Sequence, residues 1–337
     1  MIRIALDACG GDFGPEVTVA AAVEALRLRP DVEIILCALS DPREKPGNRA
    51  ARRVSNRLLF EPCETVLDSG VGPVAAIRAG QGSSVGKAMA LHADGRADAC
   101  VSAGSTTALM TLGMKMLGML PGVKRPALMS KLPSASGDTV LLDLGANLEV
   151  SAEQLVQFAL MGLVVRGQDD DRAPRIGLLN VGHEDSKGHS VVREAHGRLQ
   201  DLPLNYRGFI EGNDIFSGEV DIAVCDGFTG NLVLKSSEGL ARMLFGALKN
   251  AMFSSWRSKL GAAMAGPALR GLVARFDPAK HNGAPLLGLD GVVVKSHGSS
   301  RVPATRQAIL EACDEAGKQV PDTIRALIEQ HKAEIEQ

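Results

Sequence analysis

Residues 2–15 read Ile2-Arg3-Ile4-Ala5-Leu6-Asp7-Ala8-Cys9-Gly10-Gly11-Asp12-Phe13-Gly14-Pro15. An apolar run ends in a glycine pair, and a proline opens the helical pattern that follows at 16–29. Strand, tight turn and helix are written in fourteen residues. Glycines 10 and 11 permit positive φ and close backbone approach, and Pro15 suits a first helical turn. Amides exposed at such a helix start can hold an anion. A plain βα turn without a ligand explains the same residues.

The pattern repeats along the chain. Apolar runs at 2–8, 32–38, 98–103, 140–144, 175–181, 220–225 and 291–295 predict strands, each followed by a Gly, Asp, Asn or Ser cluster. Most are continuous rather than alternating, as in strands covered on both faces. Helical patterns lie at 16–29, 83–93, 106–117, 152–165, 184–199, 231–253, 303–317 and 321–335. This alternation predicts a three-layer αβα sandwich with a Rossmann-like, mixed or mostly parallel sheet. The polar segment 41–53 is too short to separate a pair of domains, so one α/β domain over 1–337 is expected.

In such sheets ligands gather beyond the carboxyl ends of strands. Six polar turns fall after the predicted strands. The first holds Asp7, Gly10, Gly11, Asp12 and Gly14. The second, Ser102-Ala103-Gly104-Ser105-Thr106-Thr107, brings hydroxyls and amides to a helix start, which suits phosphate or ordinary capping. The third contains Asp143 and Asn147, able to orient substrate or close the turn. In the fourth, Asn180, His183, Glu184 and Lys187 offer a titratable imidazole and a fixed cation. A solvated helix start accounts for them as well. The fifth runs Asp226-Gly227-Phe228-Thr229-Gly230-Asn231 and on to Lys235. The sixth joins His281-Asn282-Gly283 to Lys295-Ser296-His297-Gly298. There is no GxSxG elbow, P-loop or GxGxxG fingerprint.

Charge is nearly balanced, 37 basic against 39 acidic residues, with 3% aromatics, which argues against a nucleic-acid partner. The six cysteines include no CxxC pair and read as small buried hydrophobes of a reducing compartment. No signal-peptide pattern or ~20-residue apolar run occurs, so a cytoplasmic location is expected.

Taken in order, ALDACGGDFGP (5–15), ACVSAGSTTALM (99–110), RPAL (125–128), VLLDLGAN (140–147), LVQFALMG (155–162), LLNVG (178–182), VCDGFTGNLVLK (224–235) and NGAPLLGLDGVVVKSHG (282–298) resemble the bacterial acyl-acyl-carrier-protein:phosphate acyltransferases of phospholipid synthesis, the PlsX family. The resemblance runs from residue 2 to about 320. It implies a homodimer with a fold related to phosphotransacetylases and isocitrate dehydrogenase. It also implies transfer of a fatty acyl group from acyl-carrier protein to phosphate, with a membrane-bound glycerol-3-phosphate acyltransferase consuming the product. Departures from the family pattern fall at Cys9, at Ser105-Thr106-Thr107, at His183, at 70–73, at His281 and at 299–301.

On this reading, Lys187, Asn231 and His297 are the candidate catalytic groups. Asp7, Gly10, Gly11, Asp12, Gly14, Ser102, Gly104, Ser105, Thr106, Asp143, Asn147, Asn180, Glu184, Asp226, Thr229 and Lys295 are the candidate binding residues. No metal or cofactor is expected. Residues 235–280 carry eight basic and two acidic residues among many apolar ones. Such a helical pair suits an acidic carrier protein, an anionic membrane met through 253–260 (Phe253 to Leu260), or a dimer contact. The rival readings are a phosphotransacetylase acting on acyl-CoA and a non-catalytic membrane scaffold for lipid-synthesis enzymes.

Overall fold

The computed structural model describes residues 1–44, 54, 56–167, 172–276 and 278–336. The stretch of the expected polar segment beyond residue 44 therefore lies almost wholly outside the described residues. So do Asp277 and the side chains of Leu269, Arg270 and Arg275 in the basic stretch.

An eleven-stranded sheet organises the chain. Its strands are β1 (Ile2–Asp7), β2 (Val32–Ala38), β3 (Leu58–Pro62), β4 (Ala99–Ser102), β5 (Ala127–Ser134), β6 (Gly137–Leu142), β7 (Ile176–Leu179), β8 (Tyr206–Ile210), β9 (Ile222–Val224), β10 (Ala284–Leu287) and β11 (Val292–Lys295). The spatial order is β3-β2-β1-β4-β11-β10-β5-β6-β9-β7-β8. The helices are α1 (Pro15–Leu28), α2 (Pro73–Ala79), α3 (Ser84–Ala93), α4 (Thr106–Met116), α5 (Ala152–Gly167), α6 (Ser190–Asp201), α7 (Asp214–Ser217), α8 (Gly227–Met252), α9 (Trp256–Arg275), α10 (Val302–Gly317), α11 (Val320–Gln330) and α12 (Lys332–Glu336).

Both sheet faces are buried, which explains the continuous apolar runs. In β1, Ile4 and Leu6 pack on one side while Ala5 joins a cluster on the other. The first side is closed by α1 and α10 and, over the β6–β8 half, by α5 with α6 and α11. The second side carries α3 and α4, and then α7 and α8.

All seven expected strands are present. Four more, β3, β5, β8 and β10, escaped the apolar pattern for physical reasons. β3 and β8 are the sheet's edges, and their sequences mix in Glu61 and Arg207. β5 contains Lys131 and Pro133, but beyond Leu128 it pairs with β6 alone, so Pro133 interrupts no ladder on its other side. The expected helix at 184–199 starts later, at Ser190. The residues from 184 to 189 form a loop, because Asn180 and Arg193 tie up the carbonyls of Lys187 and Gly188.

One topological feature bears directly on the polar turns. Strands β11, β10, β5 and β6 are joined by three antiparallel pairings in succession. The strands β6, β9, β7 and β8 therefore run opposite to β1, β2, β3, β4 and β11. The six turns, expected together beyond parallel strand ends, divide between opposite edges of the sheet.

Candidate active site

At the first edge three turns interlock. Asp7, fully buried at the end of β1, accepts from the amides of Cys9 (3.3 Å) and Gly10 (3.1 Å) and from Ser102 Oγ (2.6 Å) at the end of β4. Ser102 Oγ also accepts from Gly104 N at 2.9 Å. A Cβ at Gly10 would stand 2.5 Å from Asp7 Oδ2 and 2.8 Å from Gly104 N, so only glycine lets the two turns touch. The third turn follows β11: Asp12 N donates to Gly298 O at 2.9 Å. Gly14 caps α1 with φ 47°, and Thr18 Oγ1 pins the turn by donating to Ala8 O at 2.7 Å. Ser105 caps α4, accepting from Ala108 N at 3.4 Å. Ser102 and Ser105 are thus occupied in building the turns. Thr106 and Thr107 are half-exposed at the start of α4.

Two cations and an imidazole enter this cluster. Lys295 is half-buried at the end of β11, within 3.5 Å of Ala103 O and also bonded to Ser296 O. Burial first, then the charge of Lys235, pushes its ammonium down to about 8, against the pull of Asp7 and Asp12. His297 Nε2 lies 3.3 Å from Lys235 Nζ, and its Nδ1 lies 3.1 Å from Ser299 Oγ. An ammonium can only donate, so Nε2 accepts from Lys235, while Ser299 N also approaches Nδ1 at 3.4 Å. Desolvation, then Lys235 and Lys295, hold this imidazole below its usual range, in agreement with the neutral form. Asn282 braces the turn: its Oδ1 accepts from His297 N at 3.1 Å, and its Nδ2 donates to Ser296 Oγ at 2.9 Å.

At the second edge the carboxylates close turns. Asp143, with no exposed surface, accepts from the amides of Leu128 (3.0 Å), Gly145 (3.3 Å), Ala146 (3.1 Å) and Asn147 (2.7 Å) and from Asn147 Nδ2 (2.9 Å). Burial outweighs these donors and raises its carboxyl above the usual range. Asp226 caps α8, accepting from Thr229 N (2.8 Å) and Thr229 Oγ1 (2.7 Å). The side chains of Asp143, Asn147, Asp226 and Thr229 are therefore engaged in closing these turns, Asn147 Nδ2 donating also to Pro126 O at 2.8 Å. Asn180 does the same, donating to the carbonyls of Gly182 (3.2 Å) and Lys187 (3.3 Å). Lys187 and Glu184 form an exposed pair at 3.7 Å on this loop, beside the 226–231 turn, because β7 and β9 are neighbours.

Helix α8 links the two edges. Asn231 packs against Gly145, where a Cβ would lie 3.5 Å from Asn231 Cβ. Lys235, one turn further on the same flank, reaches His297. The structure thus brings Asp7, Gly10, Gly11, Asp12, Gly14, Ser102, Gly104, Ser105, Thr106, Lys295 and His297 together and connects Asn231 to them. It leaves Asn180, Glu184 and Lys187 on the adjoining loop. Lys235, Asn282 and Ser299 were absent from the candidate set. The i,i+4 spacing of Asn231 and Lys235 was the available signal for Lys235. Asn282 stood in the sixth polar turn and Ser299 just after it, but nothing local singled either out from its neighbours.

The arrangement is an anion-receptive cluster of helix-start amides with two lysines. The fold is that of the phosphotransacetylases. It resembles a phosphotransacetylase from Streptococcus pyogenes (TM-score 0.57, 16% identity, 94% of each chain) and a branched-chain phosphotransacylase from Enterococcus faecalis V583 (TM-score 0.56, 14% identity, 93% of this chain and 98% of that one). The family described as "Fatty acid synthesis protein" matches residues 2–323, and the chain belongs to it. Proteins named phosphate acyltransferase are similar over nearly the whole length. Those of Shewanella halifaxensis (strain HAW-EB4) and Nitrosococcus oceani are each 44% identical over 331 residues, covering 97% of both chains. The chain is an acyltransferase of this family. Among the described residues, no helix is long and apolar enough to cross a membrane.

Proposed function

We propose that the chain transfers a fatty acyl group from acyl-acyl-carrier protein to inorganic phosphate, giving acyl phosphate and free carrier protein for phosphatidic acid and phospholipid synthesis. The observation that carries this reading is the meeting of the 7–14, 102–107 and 295–298 turns around Lys295, with Lys235 and Asn231 alongside. A phosphate oxygen attacks the thioester carbonyl carbon. The resulting tetrahedral oxyanion collapses, the C–S bond breaks, and the thiolate takes up a proton. Holding two reactants in register lowers the entropic cost of their encounter, and preorganised donors stabilise the oxyanion. The amides of Gly11, Phe13, Gly14 and of 105–107 receive phosphate. Lys235 and Asn231 face the oxyanion. Lys295, with a pKa near that of a free thiol, gives its proton to the leaving sulfur, while the neutral His297 orients Lys235. Lys187 supplies a mobile positive charge that draws phosphate in.

The direct test is mass spectrometry for acyl phosphate after mixing the protein with palmitoyl-acyl-carrier protein and phosphate. Absence of the product with intact substrate remaining refutes the reading. The second reading, an acyl-CoA phosphotransacetylase, is favoured by the fold likeness, and palmitoyl-CoA in the same assay separates the two. Lys187→Ala should raise the phosphate KM about tenfold, a loss of about 1.4 kcal/mol. An unchanged phosphate KM removes Lys187 from the site.

We place this single α/β domain in the cytoplasm as a homodimer, delivering acyl phosphate to a membrane-bound glycerol-3-phosphate acyltransferase. The α8–α9 pair leaves Phe253, Trp256, Leu260 and Met264 exposed beside Arg257 and Lys259, which suits peripheral contact with anionic lipid. Deleting 253–260 should reduce sedimentation with anionic vesicles at least severalfold, and equal sedimentation would reject the membrane contact.

A further inference from the structure

Helices α4 and α8 lie on the same sheet face, on either side of the β10–β5 strip. One flank of α4 is taken by α2 and the turn after it. Leu112 abuts Gly80, and Lys115 Nζ reaches Ile77 O at 3.5 Å. Helical geometry puts Thr106, Met110, Met114 and Leu117 on the opposite flank. Met110, Met114 and Leu117 are half-buried there, in the same apolar cluster as Leu128 of β5, Leu286 of β10, Ala146 and Leu234 of α8. From the other side α8 presents Asn231 and Lys235. The two helix flanks therefore differ: α8 carries Asn231 and Lys235 beside Val233 and Leu234, α4 carries the thioethers, and Lys295 and His297 stand at the end where α4 begins. An extended apolar chain with a polar, reactive head matches that division. Methionine suits such a wall, because its flexible thioether fills the space when empty and yields to a ligand.

We propose that the fatty acyl chain lies along the Met110–Met114 flank of α4, its thioester carbonyl beside Lys235 and Lys295, and that Met114 sets the chain length accepted. This rests on the acyl-phosphate reading above. Met110 stands about 6 Å along the helix from Thr106 and Met114 about 12 Å, so a bulky group at Met114 meets only the far end of a chain.

The experiment measures acyl phosphate formed from octanoyl- and palmitoyl-acyl-carrier protein. Met114→Trp should lower the palmitoyl-to-octanoyl ratio of kcat/KM at least tenfold with the phosphate KM unmoved, while Met114→Ala should hold or raise that ratio. Met110→Trp, nearer the head, should reduce both substrates together. If Met114→Trp fails to fold, Met114→Phe carries the same expectation at smaller size. A ratio unchanged in every Met114 variant overturns the acyl groove and leaves the acyl-phosphate reading standing. No acyl phosphate from either chain length with the parent protein overturns that reading, and the groove with it.

Discussion

Lys295→Ala should lower kcat/KM for phosphate by about 10²–10³, the cost of removing one preorganised charge from a developing oxyanion or its leaving group. The side chain is half-buried between two turns, with Lys235 as a second cation close by, and its ammonium is held down to about 8. The cation is present below that pH and lost above it. With the parent protein, kcat/KM should therefore fall on the alkaline side, with a midpoint near 8, as the ammonium deprotonates. Lys295→Arg keeps its charge across that range. It should be slower, because a guanidinium cannot give up a proton, and it should lack the alkaline limb. Bound phosphate should itself raise the Lys295 pKa, so the limb in kcat at saturating phosphate should lie higher than the limb in kcat/KM. A Lys295→Ala variant with a parental pH profile and rate would exclude the residue from the chemistry.

The second large effect concerns stability. Asp143→Ala should cost about 3–5 kcal/mol, since it strips acceptors from four backbone amides and Asn147 Nδ2 in a site with no exposed surface. For a chain of this length that is a fall in Tm of roughly 5 °C. Asp226→Ala removes only a helix cap and should cost about 1 kcal/mol. Thermal melts of the two variants decide whether Asp143 belongs to turn closure, as its bonds indicate, or to substrate. A Tm for Asp143→Ala within a degree of the parent would contradict the structural role.

The two acids illustrate what a sequence can and cannot say about a polar turn. Asp143 and Asp226 each stand at a strand end with a glycine close behind, and so does Asp7. Each spends its carboxylate on nearby amides, because an Asp that ends a strand points its oxygens at the donors the turn exposes. Asp226 stays within its own turn, whereas Asp143 also reaches Leu128 N of β5 and Asp7 reaches Ser102 at the end of β4, which ties it to a second strand-to-helix turn. That difference lies in strand order rather than in local residues.

The sequence by itself determined the layered α/β architecture, because strands buried on both faces must be apolar throughout and the intervening helices must punctuate them. It also determined which turns would be rich in donors, since glycine, serine and threonine are needed for tight strand-to-helix joins. The tertiary structure alone decided which turns meet. Three antiparallel pairings around β10 and β5 reverse the second half of the sheet, and neither strand announces the reversal, β5 being broken by Lys131 and Pro133 and β10 being four residues long with Pro285 inside it. The company that Lys295 and His297 keep follows from α8 crossing that reversal, because a contact between residues some sixty positions apart is set by packing and leaves no local trace.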